Sequence, residues 1–110
     1  MPGIGQLRHR ATFYVPHTRR DENGQPLTEY RATHRKIPAA VEDVSGGQTR
    51  RGLQVEQGVS KVVTIRGHLR DVSQDWRCEV AGELLEVAAV LDRDGRGVWF
   101  ELQCRRCQDG

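Results

Sequence analysis

The residues best suited to chemistry lie near the C-terminus, where Cys104-Arg105-Arg106-Cys107 has the C-x-x-C spacing of a zinc half-site or a redox pair. Zinc needs further ligands, and neither a second C-x-x-C nor a spaced histidine pair supplies them. No βαβ pattern surrounds the pair as a redox motif requires. Cys104 also falls in phase with the inward face of the last predicted strand, which favours a buried structural thiol. The remaining cysteine is Cys78, so the three cannot all pair within one chain. With no cleavable signal or membrane-spanning apolar run ahead of them, the expectation is folding in a reducing cytoplasm.

Other constellations fail in similar ways. His9, His17 and His34 lie in arginine-rich polar surroundings and His68 lies in a polar turn, the setting of solvated histidines. Ser45-Gly46-Gly47 puts a hydroxyl beside glycines but lacks the strand, elbow and helix that activate a serine. Gly95-Arg96-Gly97 is followed by no Lys-Ser or Lys-Thr, so it does not read as a phosphate loop. Asp92 and Asp94 lack the further oxygen ligands of a calcium site. The chain therefore reads as a non-enzyme with neither metal nor cofactor.

Arginine is the remaining candidate for chemistry. The 17 basic residues include only Lys36 and Lys61 as lysines, and arginine suits interfacial ion pairs and phosphate contacts. Arg8 and Arg10 fall on the outward face of a first strand beside Tyr14, Arg19 and Arg20 in the following turn, and Arg50 and Arg51 in a central loop. Against 15 acidic residues the formal net charge is only +2, too small to attract a polyanion over the whole surface. Small barrels that bind single strands need stacking aromatics. Here Phe13, Trp76 and Phe100 are in phase with the core, which leaves too few for such a platform.

The elements that must position these residues are strands. Leu7, Ala11, Phe13 and Val15 alternate with Arg8, Arg10, Thr12 and Tyr14, and Val98, Phe100, Leu102 and Cys104 alternate with Trp99, Glu101, Gln103 and Arg105. Period two places each set on one face of a half-buried strand. Residues 1–6 read as a flexible arm, and the first strand runs from Leu7 to Val15, where Pro16 is expected to stop it. A long hairpin turn over His17–Pro26, built on Asp21, Asn23 and Gly24, leads to an extended segment over Leu27–Val44, split at Pro38, which argues for an edge or a bulge there. Residues 45–58 have no strand alternation and read as a long central loop with at most a helical turn. Alternation returns at Val59–Ile65. Trp76, Cys78 and Val80 share a face, a short turn follows at Ala81-Gly82-Glu83, and Leu84–Leu91 is apolar enough to be covered on both sides. At 110 residues the chain reads as a single domain with a thin core, an all-β antiparallel barrel or sandwich of five to six strands.

In this order the segments resemble the tailed-phage head–tail joining family, also called head-closure or head–tail adaptor proteins. The marks are Leu7-Arg8-His9-Arg10, the turn at Asp21–Gly24, Val41 before Ser45-Gly46-Gly47, Val63-Thr64-Ile65-Arg66, Trp76-Arg77, the run Val80–Val87, and a closing strand with Leu102 and Cys104. Two positions depart from the family pattern, His34–Pro38 where a Trp-Ala pair is common and Leu84 where an aromatic is common. The resemblance implies a ring beneath the portal, in the head–tail connector of a phage or prophage virion, made in the host cytoplasm. That ring would close the DNA-filled capsid and offer a docking surface to the tail. Implied partners are the portal or adaptor ring, a tail-terminator or tail tube protein, further copies of the chain, and packaged double-stranded DNA in passing, with no membrane. Ser45, Gly46, Gly47, Gln48, Thr49, Arg50, Arg51 and Gly52 would face the channel or a neighbouring ring. Arg8, Arg10, Arg19 and Arg20 would lie at an interface or near DNA. Another phage tail-completion barrel, or a small nucleic-acid-binding barrel with salt-dependent binding, are the alternatives.

Overall fold

Alternating apolar residues become strands because one face of each must leave water, and the computed structural model closes those faces on one another. It describes residues 7–33, 36–44, 49–50, 53–67, 72–92 and 95–107, with 49–50 and 53–54 as backbone. The strands are β1 (His9–Arg20), β2 (Pro26–Ala32), β3 (Ile37–Asp43), β4 (Thr49–Arg50), β5 (Leu53–Gln54), β6 (Lys61–Arg66), β7 (Arg77–Val80), β8 (Glu83–Asp92) and β9 (Trp99–Arg106). The main sheet runs β2-β1-β3-β6-β9-β8-β7 and closes through a β1–β7 pairing. The result is a six-stranded antiparallel barrel with β2 as an extra strand, as the sequence implied. Closure removes the open edges that an isolated sheet would present.

Inward residues come from every barrel strand. Phe13, Val63, Ile65, Cys78, Leu85, Val87, Leu102 and Cys104 are completely enclosed, with Trp76 and Phe100 nearly so. Burying a side chain such as Phe13 contributes about 1.5–3 kcal/mol, so a few strands suffice to hold a thin core. The turn between β7 and β8 has two residues, Ala81 and Gly82, both at positive φ (53° and 79°). This is the twist a two-residue hairpin needs. Within β8 the register shifts between Val87 and Ala89, a bulge that turns Ala88 outward into a second small apolar cluster with Val55 and Val59.

Four details differ from the sequence reading. β1 does not stop at Pro16 but continues to Arg20, so that Pro16 lies opposite Tyr30. The Phe13 carbonyl accepts from Thr33 N at 2.8 Å, which places odd-numbered β1 residues toward β2 and turns the Pro16 nitrogen to the other edge. There the β1–β7 ladder ends at Tyr14, so the proline terminates that ladder and leaves the hairpin intact. The break expected at Pro38 falls earlier, between Ala32 and Ile37, and Pro38 sits inside a strand paired on both sides rather than at an edge. It is tolerated because the β3–β6 ladder begins only at Ala39. The central segment contains a short β4–β5 pairing where no strand was expected. Finally, Trp99, Glu101 and Gln103 on the outward face of β9 are buried, not half-exposed.

Candidate functional site

The barrel carries one appendage at each end. β1 runs antiparallel to β3, so the β1–β2 hairpin leaves the end where β3 begins, and the 44–60 segment leaves the end where β3 finishes. Beyond Tyr14, β1 and β2 pair only with each other among the described strands, which makes Pro16–Pro26 a two-stranded arm. Its tip is organised by Asp21, whose Oδ1 accepts from Asn23 N and Gln25 N, each at 2.9 Å, while Gly24 takes a φ of 78°. Arg19 and Arg20 lie on this arm. Arg19 Nε donates to Glu29 at 2.7 Å and Arg20 Nη1 to the Gly24 carbonyl at 2.7 Å. Arg8 and Arg10 are exposed at the start of β1. At ~3.3 Å per residue, Arg10 and Arg19 are about 30 Å apart along the strand. The structure does not bring these two arginine pairs together.

At the opposite end, Thr49 and Arg50 pair with Gln54 and Leu53. Ser45, Gly46, Gly47, Gln48, Arg51 and Gly52 lie outside the described residues, as do His34 and His68. The second half of the expected loop is fastened down. Val55 and Val59 are each 2% exposed, and the Glu56 amide donates to Gln103 Oε1 at 2.9 Å. Val44 N donates to Ser60 O, and Ser60 N to Cys104 O, each at 3.0 Å. This cover lies over the Gln103 end of the outward face of β9, and it leaves a hairpin on a fixed base.

A rim of paired charges closes the same end. Lys61 Nζ lies 2.5 Å from Asp43 Oδ1 and 3.2 Å from Glu83 Oε1, and Arg106 Nε lies 3.2 Å from Glu83 Oε2. The hydrogen bond from Lys61 holds the Asp43 carboxyl below its ordinary range, and Asp43 and then Glu83 raise Lys61. The sequence reading missed this group. Its signal was present, because each member lies two residues from a buried inward residue or one packed on the core: Val41, Val63, Leu85 and Cys104.

Around the outside, register aligns Tyr14, Arg77, Glu86 and Arg105 across four strands. Arg77 stacks on Tyr30 at 4.0 Å from the ring centroid, and Arg105 Nε lies 3.8 Å from Glu86. Tyr14 donates to Glu79 at 3.4 Å, and its phenol is shifted up by burial and then by Glu79. Two aromatics are thus committed to packing, Tyr30 of the extra strand under an arginine and Tyr14 of the barrel wall beside a carboxylate.

Reactive chemistry is poorly served. Burial pushes the Cys78 thiol up to about 12, and burial likewise raises Cys104. Both are held as protonated core thiols, poor nucleophiles at neutral pH. No disulfide links the three cysteines. Among the described residues no three His, Cys, Asp or Glu side chains converge, and no helix is long and apolar enough to cross a membrane.

Comparison with known proteins agrees with an assembly component. The fold resembles the solution structure of protein SF1141 from Shigella flexneri 2a, with a TM-score of 0.73 and 24% identity over 99% of this chain and 100% of that one. It also resembles a chain in the virion of a native gene transfer agent particle, with a TM-score of 0.61 and 18% identity over 90% of this chain and 92% of that one. No curated protein sequence matches the chain. The family described as phage head completion protein matches residues 3–106. By that match along nearly its whole length, the chain belongs to the phage head completion protein family, a family of structural virion proteins and not a known enzyme family.

Proposed function

We propose that this protein completes the head by forming a ring in the head–tail connector, closing the DNA-filled capsid on one side and offering the tail a docking surface on the other. The observation that carries the reading is the placement of the two appendages at opposite ends of a closed barrel. A subunit of that shape can contact a head-side ring with one end and a tail-side ring with the other. The 45–52 span is the channel or neighbour contact, because its base is fixed by Val55 and by the Glu56–Gln103 hydrogen bond while the span itself carries glycines and Arg50-Arg51. The partners are a portal or adaptor ring, a tail-terminator or tail tube protein, and further copies of the chain. Arg8, Arg10, Arg19 and Arg20 serve the two end contacts separately, given their distance along β1.

The test removes residues 46–52 and keeps Val44 and everything from Leu53 onward. The variant should fold and enter particles, and the particles should leak genome or lack tails. Arg50→Glu combined with Arg51→Glu should impair the same step. Full DNA retention and normal tail attachment from particles that contain the shortened protein would refute the assignment.

A further inference from the structure

An open cleft of about 630 Å³ lies beside the charged rim, lined by Gly58, Ser60, Arg105, Arg106 and Cys107. Two of its lining residues hold buried polar atoms without a hydrogen-bond partner, Ser60 Oγ and Arg105 Nε. They are neighbours by register, since Ser60 N donates to Cys104 O at 3.0 Å. Arg105 Nε is a donor only and a serine hydroxyl can donate, so both call for an acceptor. Its nearest carboxylate, Glu86, stands 3.8 Å away, beyond hydrogen-bond range. Gly58 adopts a φ of 84° with nothing within 4 Å of where a Cβ would stand, so this wall of the cleft is open.

The character of the missing acceptor follows from the surrounding charge. A guanidinium prefers a carboxylate or phosphate, with charge-assisted hydrogen bonds. Glu83 already engages Arg106 and Glu86 flanks Arg105, so the cleft has no large positive excess and offers little pull on a polyanion. A single carboxylate fits where a run of DNA phosphates does not. We propose that this cleft binds an acidic side chain presented by a neighbouring protein chain. It lies outside the 45–52 span on which the proposed function rests, so the two readings can fail separately.

The test is an amide NMR titration of the full chain with N-acetyl-glutamate amide, with N-acetyl-glutamine amide and a short DNA duplex as parallel probes at one ionic strength. The acidic probe should give saturable shifts at Gly58, Ser60, Arg105, Arg106 and Cys107, and the other two should not. Arg105→Gln and Ser60→Ala should each weaken binding about tenfold, the size expected for loss of one good hydrogen bond. Shifts of these same amides on raising protein concentration would also support the proposal and name a second copy as the donor. No saturable shift, an equal response to the glutamine probe, binding unchanged in both variants, or the duplex occupying these residues would each overturn it. If Arg105→Gln fails to fold, Ser60→Ala and the probe comparison on the unmodified chain still decide.

Discussion

At the scale of single residues, two groups of atoms show how closely the barrel is built. Gly67 donates its N–H to the Val98 carbonyl at 2.6 Å, and a Cβ at this position would stand 2.5 Å from the Gly97 carbonyl oxygen. That neighbour is backbone and cannot rotate away. Gly67→Ala should therefore lower stability by about 1–3 kcal/mol, read as a shifted denaturation midpoint with an unchanged m-value. The cysteines give a second expectation. Cys78 is raised to about 12 and Cys104 is raised by the same burial, so each keeps its proton, and remains a poor nucleophile, until pH climbs far above neutral. Alkylation of the native protein at neutral pH should leave both unmodified and reach only Cys107, with all three reacting in denaturant. Rapid native labelling of Cys104 would show that the last strand opens. The C-x-x-C spacing drew attention to this pair, but phase along the strand decided its chemistry: the first member points inward and the second lies just past the strand end.

At the scale of elements, the 55–60 segment is held against β9 by Val55 and Val59, by the Glu56–Gln103 hydrogen bond and by the backbone bonds of Ser60 to Val44 and Cys104. Gln103→Ala removes the acceptor of this part-buried hydrogen bond, a cost of about 0.5–1.5 kcal/mol. Hydrogen exchange at Glu56 should accelerate strongly while amides in β6 stay protected. Equal acceleration throughout would mean that the segment and the barrel open together. This segment also marks the limit of what patterning discloses. The inward positions of β1, β7 and β9 were legible because a period of two reports burial against one core. Gln103 and Glu101 follow that period as polar residues, and nothing local says that a distant stretch will cover them. Pro16 and Pro38 misled for a related reason. A proline forbids a donor on one edge of a strand only, and which edge matters depends on where the neighbouring ladder ends. The candidate site was legible as a glycine-bearing interruption in strand alternation, whereas the charged rim and the cleft exist only once β3, β6, β8 and β9 are in register.

At the scale of the whole molecule, the described surface offers little to hold a permanent oligomer together. Leu27 is the one large apolar side chain exposed beyond a third of its area among the described residues, at 40%. Obligate interfaces are larger and more apolar than this. Other features point to association that a template must organise. β2 is paired on one side only among the described strands, and the hydrogen-bond parity that turns 27, 29 and 31 toward β1 leaves the backbone of Thr28, Tyr30 and Ala32 facing outward. Such an edge can accept a strand, yet Glu29 and Arg31 on the arm and Pro16 on its other edge discourage indiscriminate pairing. With the two end appendages given to the head side and the tail side in the proposed arrangement, contacts between copies would run around the barrel wall and join unlike surfaces, and unlike contacts close into a ring or extend into a filament according to the rotation they impose. Weak, polar, unlike contacts of this kind become a ring when many copies are held at high effective concentration on an existing ring. The isolated chain should accordingly scatter light as a monomer at micromolar concentration, and associate when a portal or adaptor ring is added. A tight ring that persists on dilution without any template would overturn this, and would place the dominant interface among residues whose apolar content the described surface does not disclose.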